Sequence, residues 1–280
     1  PPDFNLAEHV LARGRLTPDR PALELVGGVR DETLTHGDLA RLVAGTATAL
    51  LDRGLVPGDR VLLRLGSGLA FPIAYLGAIW AGMVPVPTAS GLTGGEITRA
   101  AKLVDPRLIL ADPGIVLPDH PVPVLPPDLA KWGALPPASV HKGDPDREAY
   151  VIFTSGTSGT PMAVSHAHRA ILARQAMHHA WEGLTPADRL LHAGALNWTY
   201  TLGTGLLDPW TVGATALVPW AGTPPDRLAP LLERHGVTIL AAVPGVFRQM
   251  LRAGLPTLPH LRHGLSAGEA LPEPLRQDWR

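Results

Sequence analysis

Cysteine is absent from the 280-residue sequence, which excludes a disulfide framework, a thiolate metal site and a cysteine nucleophile. Charge of one sign is missing too. The 24 Lys and Arg against 25 Asp and Glu leave a formal net charge of -1 with no basic cluster, so neither nucleic acid nor an anionic membrane surface is an expected partner. The opening PPDFNLAEHVLARG has no basic segment, apolar segment and small-residue cleavage site of the kind a secretory leader carries. The longest apolar run, FPIAYLGAIWAGMVPVP, is broken by Pro72, Gly77, Gly82, Pro85 and Pro87 and falls short of the ~20 residues of a bilayer span. It reads as a buried helix followed by a strand. Together these absences predict a cytoplasmic globular protein with no membrane span, whose partners are small molecules.

What is present is an alternation of helical and strand patterns. Thr35 and Asp38 open a capping-box-like pattern, Leu39, Leu42, Val43, Thr46 and Leu50 follow at helical spacing, and Gly54 marks the end. After the turn signal VPGD come a strand over 60–65, a helix over 69–82 with Pro72 in its first turn, the strand VPVP, a helix over Glu96–Val104 and a strand over 107–111. Such alternation predicts a mainly parallel sheet with crossover helices. Residues 112–147, rich in Pro and Asp, read as an irregular excursion with VPVL as their one strand candidate. Further on, RLLHAGAL, ATALV, VTILAA and LRHGLSA read as short buried strands. TPPDRLAPLLERHG reads as a helix with Thr223 as N-cap, Pro224 at its first position, Asp226 completing the cap and Gly236 as terminator.

The stretch YVIFTSGTSGTPMAVSHAHRAI, residues 150–171, reads as strand, Gly-rich loop and helix. Glycines let backbone approach a ligand, consecutive N–H groups form an anion-binding nest, and Ser and Thr hydroxyls add neutral donors, so the loop is expected to hold phosphate. A flexible Ser/Gly linker is the alternative, but linkers seldom join a β-branched strand to a strong helix. Gly159 is followed by Thr160 and Pro161, which rules out a Walker loop, and the spacing fails the dinucleotide fingerprint G-x-G-x-x-G. Among the twelve histidines, His166/His168 and His178/His179 invite a metal reading. Neighbours at i,i+2 or i,i+1 do not share a helix face, so both pairs are taken as capping or surface residues and no metal ligand is assigned.

Thr154, Ser155, Gly156, Thr157, Ser158, Gly159, Pro161, Val164, His166 and His168 together resemble the signature T-S-G-T-[ST]-G-x-P-K-x-V-x-H-x-H of adenylate-forming enzymes, which include acyl- and aryl-CoA synthetases, luciferases and carrier-protein-loading adenylation domains. GLVPGDRVLLRLGSGLAFPIAYLGAIWAGMVPVP and GLLDPWTVGATALV resemble further family segments, and HGLSAGEALP is similar to the adenine-contact segment of benzoate-CoA-ligase-like members. The resemblance implies an α/β fold of two packed α/β subdomains with mainly parallel sheets and flanking helices. Residues 59–185 would carry the phosphate loop, and residues 1–58 plus 186–280 the acyl and adenine pocket elements.

It further implies ATP-dependent conversion of a carboxylic acid, aryl or medium acyl, to an acyl-adenylate, then thioester formation with CoA. ATP, Mg²⁺ and CoA are the implied cofactors, with Mg²⁺ held mainly by phosphate oxygens and water. The enzyme contributes positioning and charge neutralisation and needs no covalent nucleophile. Thr154, Ser155, Gly156, Thr157, Ser158, Gly159 and Thr160 are assigned to the pyrophosphate portion of ATP, with Thr157 and Ser158 as leading hydroxyl donors. Ala267, Gly268 and Glu269 are assigned to adenine. Trp198 and Tyr200 are assigned to the acid pocket, with core packing an equal reading of Trp198. Pro244, Gly245 and Phe247 are weaker candidates for its lining, and a homodimer is compatible with the family.

Two departures from the pattern matter. Met162 stands where the family has Lys, offering an apolar stem in place of a mobile positive charge, so adenylation is expected to be slower, or ATP binding weaker, unless another cation substitutes. The 280 residues also contain no counterpart of the Mg²⁺-binding Glu, the ribose-binding Asp or the small C-terminal domain with its Lys that the resemblance implies. Three readings follow: a CoA ligase needing residues beyond 280, with a carrier-protein acceptor as a variant; a non-catalytic nucleotide or acyl binder; and an interaction scaffold offering a sheet edge.

Overall fold

A computed structural model describes residues 3–155 and 161–279. In chain order the helices are α1 (Leu6–Leu11), α2 (His36–Leu51), α3 (Ala70–Trp80), α4 (Gly94–Val104), α5 (Leu129–Ala134), α6 (Ala170–Ala180), α7 (Asp208–Val212), α8 (Leu228–Arg234), α9 (Pro244–Ala253) and α10 (Glu273–Asp278). The strands are β1 (Pro21–Val26), β2 (Glu32–Thr35), β3 (Arg60–Arg64), β4 (Val84–Pro87), β5 (Leu108–Ala111), β6 (Val124–Leu125), β7 (Glu148–Ser155), β8 (Pro161–Ala167), β9 (Arg189–His192), β10 (Thr215–Pro219), β11 (Ile239–Ala242) and β12 (His263–Ser266). The chain divides into two compact units, one of Pro1–His9 and Asp38–Ala173, the other of Val10–Gly37 and Arg174–Arg280. Each is built on a mainly parallel sheet flanked by helices.

The first unit holds the parallel sheet β4-β3-β5-β6. α3 is apolar on every side and buried from Phe71 to Trp80, as expected of a helix inside a core. α4 shows the opposite economy: a Thr93–Glu96 capping box starts it, Asp105 in the left-handed region (φ 44°) ends it, and Ile97, Ala100, Ala101 and Val104 form its buried stripe. These residues pack with Leu62, Val84, Val86, Ile109 and Val151, so β7 lies against the same core. Arg64, at the end of β3, is wholly buried. Its Nε and Nη2 donate to Val116 O at 3.0 and 2.9 Å, Nη2 also to Ser90 O at 3.2 Å, and Nη1 to Ala89 O and Thr88 Oγ1.

The boundaries differ from the division at 58/59 and 185/186. Residues 1–9 and 38–58 belong with the hairpin-bearing unit because Asn5 Nδ2 donates to Ile79 O and His141 O, each at 2.8 Å, and because α2 packs on α3 at Gly77, where a Cβ would strike Thr46. Residues 174–185 fall in the second unit, where Arg174 reaches Asp208.

The second unit carries the six-stranded sheet β12-β11-β9-β10-β1-β2, parallel except for the edge strand β2. Alternation along β11 sorts its two faces. Ile239 and Ala241 pack with Leu184, Leu190, Ala214 and Leu265, while Leu240 and Ala242 pack with Leu191, Leu217, Leu228, Leu232, Phe247 and Met250.

Three local expectations are corrected. Residues 161–167 form β8, antiparallel to β7 with Ile152 opposite Val164 and Thr154 opposite Met162, and the helix begins only at Ala170. The cause is cross-strand pairing, including a Tyr150–His166 stack at 4.6 Å. The TPPDRLAPLLERHG segment starts as a 3₁₀ turn, Pro225–Arg227, before α8, since the Thr223 hydroxyl donates back to Trp220 O at 2.7 Å and does not cap. The excursion over 112–147 contains a short helix, α5, capped by Asp128 accepting from Lys131 N–H at 3.0 Å.

Candidate functional site

In parallel α/β sheets ligands collect at the carboxyl ends of the strands, where loops must cross to the next helix. β12, β11 and β9 are neighbours in the sheet, so the segments that follow them share one edge. After β9 comes the stretch to Trp198 and Tyr200, after β11 Val243–Gly245, and after β12 Ala267–Glu269. Gly268 shows how closely they meet: its φ is 124°, and a Cβ there would lie 3.1 Å from Trp198 Cη2 and 3.2 Å from Val243 Cγ1. Only glycine combines that dihedral with that approach. Trp198 remains 37% exposed, more open than a core tryptophan, and stands edge-on to Tyr200 with ring centroids 5.4 Å apart.

Tyr200 donates its hydroxyl to Leu265 O at 3.1 Å and begins a π-helix, Thr201–Leu207, an irregularity often found at functional sites. Burial, with Glu182 nearby, pushes its phenol up from the ordinary value. His192 packs edge-on against it at 4.4 Å. The His192 Nδ1 accepts the Gly194 N–H at 3.0 Å, which leaves the ring proton on Nε2, and burial lowers its pKa to about 3, so the imidazole is neutral. Its Nε2 and the Thr201 hydroxyl have no hydrogen-bond partner among the described residues.

Pro244 opens α9 and Gly245 borders open space, both at the shared edge. Phe247 departs from its assignment: it packs into the core on the opposite face of the sheet, edge-on to Trp279 at 4.6 Å, while Tyr200 packs against the Leu265 face. One helical turn past Pro244 points it away from the edge.

In the first unit Thr154 is exposed on β7 opposite Met162, which is 58% exposed on β8. Ser155 ends the paired strand, and Gly156, Thr157, Ser158, Gly159 and Thr160 lie outside the described residues. The strands on either side, β7 and β8, are antiparallel partners, where the sequence reading expected a strand and a helix. His168 is buried, not superficial, and its Nδ1 accepts the Leu6 N–H at the start of α1, 3.0 Å away, with its pKa lowered by burial to about 3.

A second polar group in the second unit was missed by sequence reasoning. Arg174 Nε donates to Asp208 Oδ1 at 2.9 Å, its Nη2 to Asp208 Oδ2, and its Nη2 also reaches Thr204 Oγ1 at 3.3 Å. His178 Nε2 lies 3.3 Å from Asp208 Oδ1. Burial opposes ionisation of Asp208, yet His178 and Arg174 overcome it and hold the carboxyl below its ordinary range. Glu182 moves the other way, pushed up to about 9 by burial and then by the Asp208 charge. The i,i+4 spacing of His178 and Glu182 was the available sequence signal; pairing His178 with His179 concealed it.

The segments after β9, β11 and β12, which bring Trp198, Tyr200 and Gly268 together, are those that the resemblance to adenylate-forming enzymes assigned to the acid and adenine. The family model described as AMP-binding enzyme matches residues 11–280, and the chain belongs to that family. Among characterised relatives, it is 29% identical over 289 residues to a 3-hydroxybenzoate–CoA ligase of Aromatoleum sp. (strain CIB), covering 93% of this chain and 53% of that protein. It is 30% identical over 275 residues to a benzoate–CoA ligase of Thauera aromatica, covering 88% of this chain and 51% of the relative. The crystal structure of a benzoate CoA ligase from Burkholderia xenovorans LB400 superposes with a TM-score of 0.84 at 25% identity, covering 99% of this chain and 58% of that one. The chain thus spans about half the length of the curated relatives it matches. Among the described residues no helix is long and apolar enough to cross a membrane.

Proposed function

We propose that the polypeptide carrying this chain activates an aryl or medium-sized carboxylic acid with ATP and transfers the acyl group to CoA. The acid's carboxylate oxygen bonds to the α-phosphorus of ATP as pyrophosphate leaves; the CoA thiol then bonds to the acyl carbon as AMP leaves. Mg²⁺, bound with ATP, would neutralise phosphate charge. The observation that carries this reading is the convergence of Trp198, Tyr200 and Gly268 on the carboxyl edge of β9, β11 and β12 in a chain of the AMP-binding family.

In this reading Trp198 and Tyr200 supply aromatic faces for the acid, and Pro244 and Gly245 the backbone beside it. Ala267, Gly268 and Glu269 hold adenine mainly through main chain, and the missing Cβ of Gly268 lets Trp198 and Val243 approach that main chain closely. Thr154 and the Ser/Thr/Gly run that follows hold the pyrophosphate portion. The relatives act on benzoate and 3-hydroxybenzoate, and the Trp/Tyr pair suits such planar acids.

A second reading, binding without turnover, is favoured by Met162 alone, because an exposed thioether replaces the family's lysine opposite Thr154. ATP–pyrophosphate exchange separates the two. It is measured with benzoate, hydroxybenzoates and medium-chain fatty acids, on this chain and on any longer polypeptide that carries it. Exchange stimulated by aryl acids is expected, rising further in Met162→Lys. Nucleotide binding with no exchange in any form would instead establish the binder.

A further inference from the structure

The buried cluster behind Tyr200 has a geometry that the acid-activating reaction does not require. His178 lies near the end of α6, Glu182 one turn later, and Asp208 is the first residue of α7; all three are buried. One ligand atom from each lies within 4.8 Å of the other two. The i,i+4 spacing puts the first two on one side of the chain, and α7 presents the third to them.

The three are not equally satisfied. Asp208 is anchored by Arg174 and His178. Glu182, with no exposed surface, has no hydrogen-bond partner at either carboxylate oxygen among the described residues. Buried polar atoms in native proteins are almost always paired, and an orphan carboxylate aimed into a polar cluster calls for a ligand of positive charge or a donor.

We propose that His178, Glu182 and Asp208 bind one divalent transition-metal ion. One imidazole nitrogen with two carboxylates is a donor set for Zn²⁺ or Mn²⁺; Mg²⁺ and Ca²⁺ take oxygen ligands. Arg174 hydrogen-bonds Asp208 and acts on Glu182 by its charge alone, so the two carboxylates together still exceed its single positive charge, and Asp208 Oδ2 keeps a lone pair beyond its guanidinium bond. His178 also lines a cavity of about 550 Å³ with Arg13, Gln175, Leu184 and Thr211, which gives an ion a route to the imidazole. The ion would tie the end of α6 to the junction of the π-helix and α7, fixing the segment that Tyr200 begins. Its role is structural and separate from the Mg²⁺ that accompanies ATP, so the site stands or falls independently of the proposed activity.

The test titrates the chelator-stripped chain with Zn²⁺ alone, in nucleotide-free buffer, by calorimetry and thermal melting, with Mg²⁺ as comparator. One equivalent of zinc is expected to bind and raise the melting temperature through mass action, and Mg²⁺ to do neither. Glu182→Gln keeps the shape of the side chain and is expected to weaken zinc binding by about tenfold or more and to abolish the melting shift. Should that variant fail to fold, His178→Gln leaves the Arg174–Asp208 pair intact and carries the same readout. Parent and variants binding zinc alike would assign the ion to surface histidines and overturn the proposal, as would a parent that binds none.

Discussion

Arg64 in the first unit and Glu182 in the second are both ionisable and both fully buried, yet their surroundings differ. Arg64 spends its donors on Val116, Ser90, Ala89 and Thr88, stitching the end of β3 to two loops. Every acceptor is neutral, so the guanidinium keeps its charge by hydrogen bonding alone, with burial lowering its pKa from the ordinary value. Glu182 lies beside the Asp208 charge, and neither of its carboxylate oxygens has a partner at full hydrogen-bond geometry among the described residues. A saturated buried charge belongs to the scaffold. An unsaturated one marks a place where something else, a proton or an ion, completes the structure.

The largest effect expected from this contrast is at Arg64. Arg64→Met fills the volume but strands the carbonyls of Val116, Ala89 and Ser90, and should cost about 3–5 kcal/mol, read from urea unfolding midpoints. A loss under about 1 kcal/mol would show the network to be ornamental. Glu182→Gln is next, tested with chelator present so that a proton is the only occupant. The folded pKa of about 9 lies above the ordinary 4.5. Between those values the folded state holds a proton the unfolded state has released, and stability falls as pH rises through that window. The slope is up to about 1.4 kcal/mol per pH unit. Asp208, with its pKa depressed, acts oppositely: its contribution is present above the ordinary carboxylate value and lost as pH falls. Glu182→Gln should therefore gain on the parent as pH rises from 5 to 8.5. Parallel stability curves over that range would contradict the assignment.

The same contrast explains what was readable in the sequence. β3, β4 and β5 announce themselves through apolar runs bounded by Gly and Pro, because a parallel strand buried on both faces has a local signature. β8 does not. Val164, Ala167 and Ile171 fit a helical spacing, and only the pairing with β7, a nonlocal interaction, decides otherwise. Of the proposed site, Trp198, Tyr200 and Gly268 were reachable through motif resemblance, and glycine at 268 has a structural reason no motif states, its φ and its close approach to Trp198. His192 and Thr201 carry polar atoms without a partner among the described residues, visible only when neighbouring chain segments are assembled. Asp208 is 30 residues from His178, beyond any spacing rule.

Tyr200 offers the smallest and sharpest test, since it combines both behaviours in one residue. Its hydroxyl is satisfied by Leu265 O, as Arg64 is by its carbonyls. Its ring meets His192 and Trp198 edge-on, on the side where unpaired groups collect. If the hydroxyl is scaffold and the ring is site, Tyr200→Phe should lose only the hydrogen bond, about 0.5–1.5 kcal/mol of stability. Affinity for an aryl acid, followed by calorimetry or fluorescence, should then stay within about twofold. Tyr200→Leu keeps apolar volume but removes the aromatic face, and should weaken the aryl acid more than an aliphatic acid of equal length. Equal losses for both acids would reduce Tyr200 to a packing residue. A Phe variant that alone loses the aryl acid would move recognition from the ring to the hydroxyl, and with it to the Leu265 carbonyl at the end of β12.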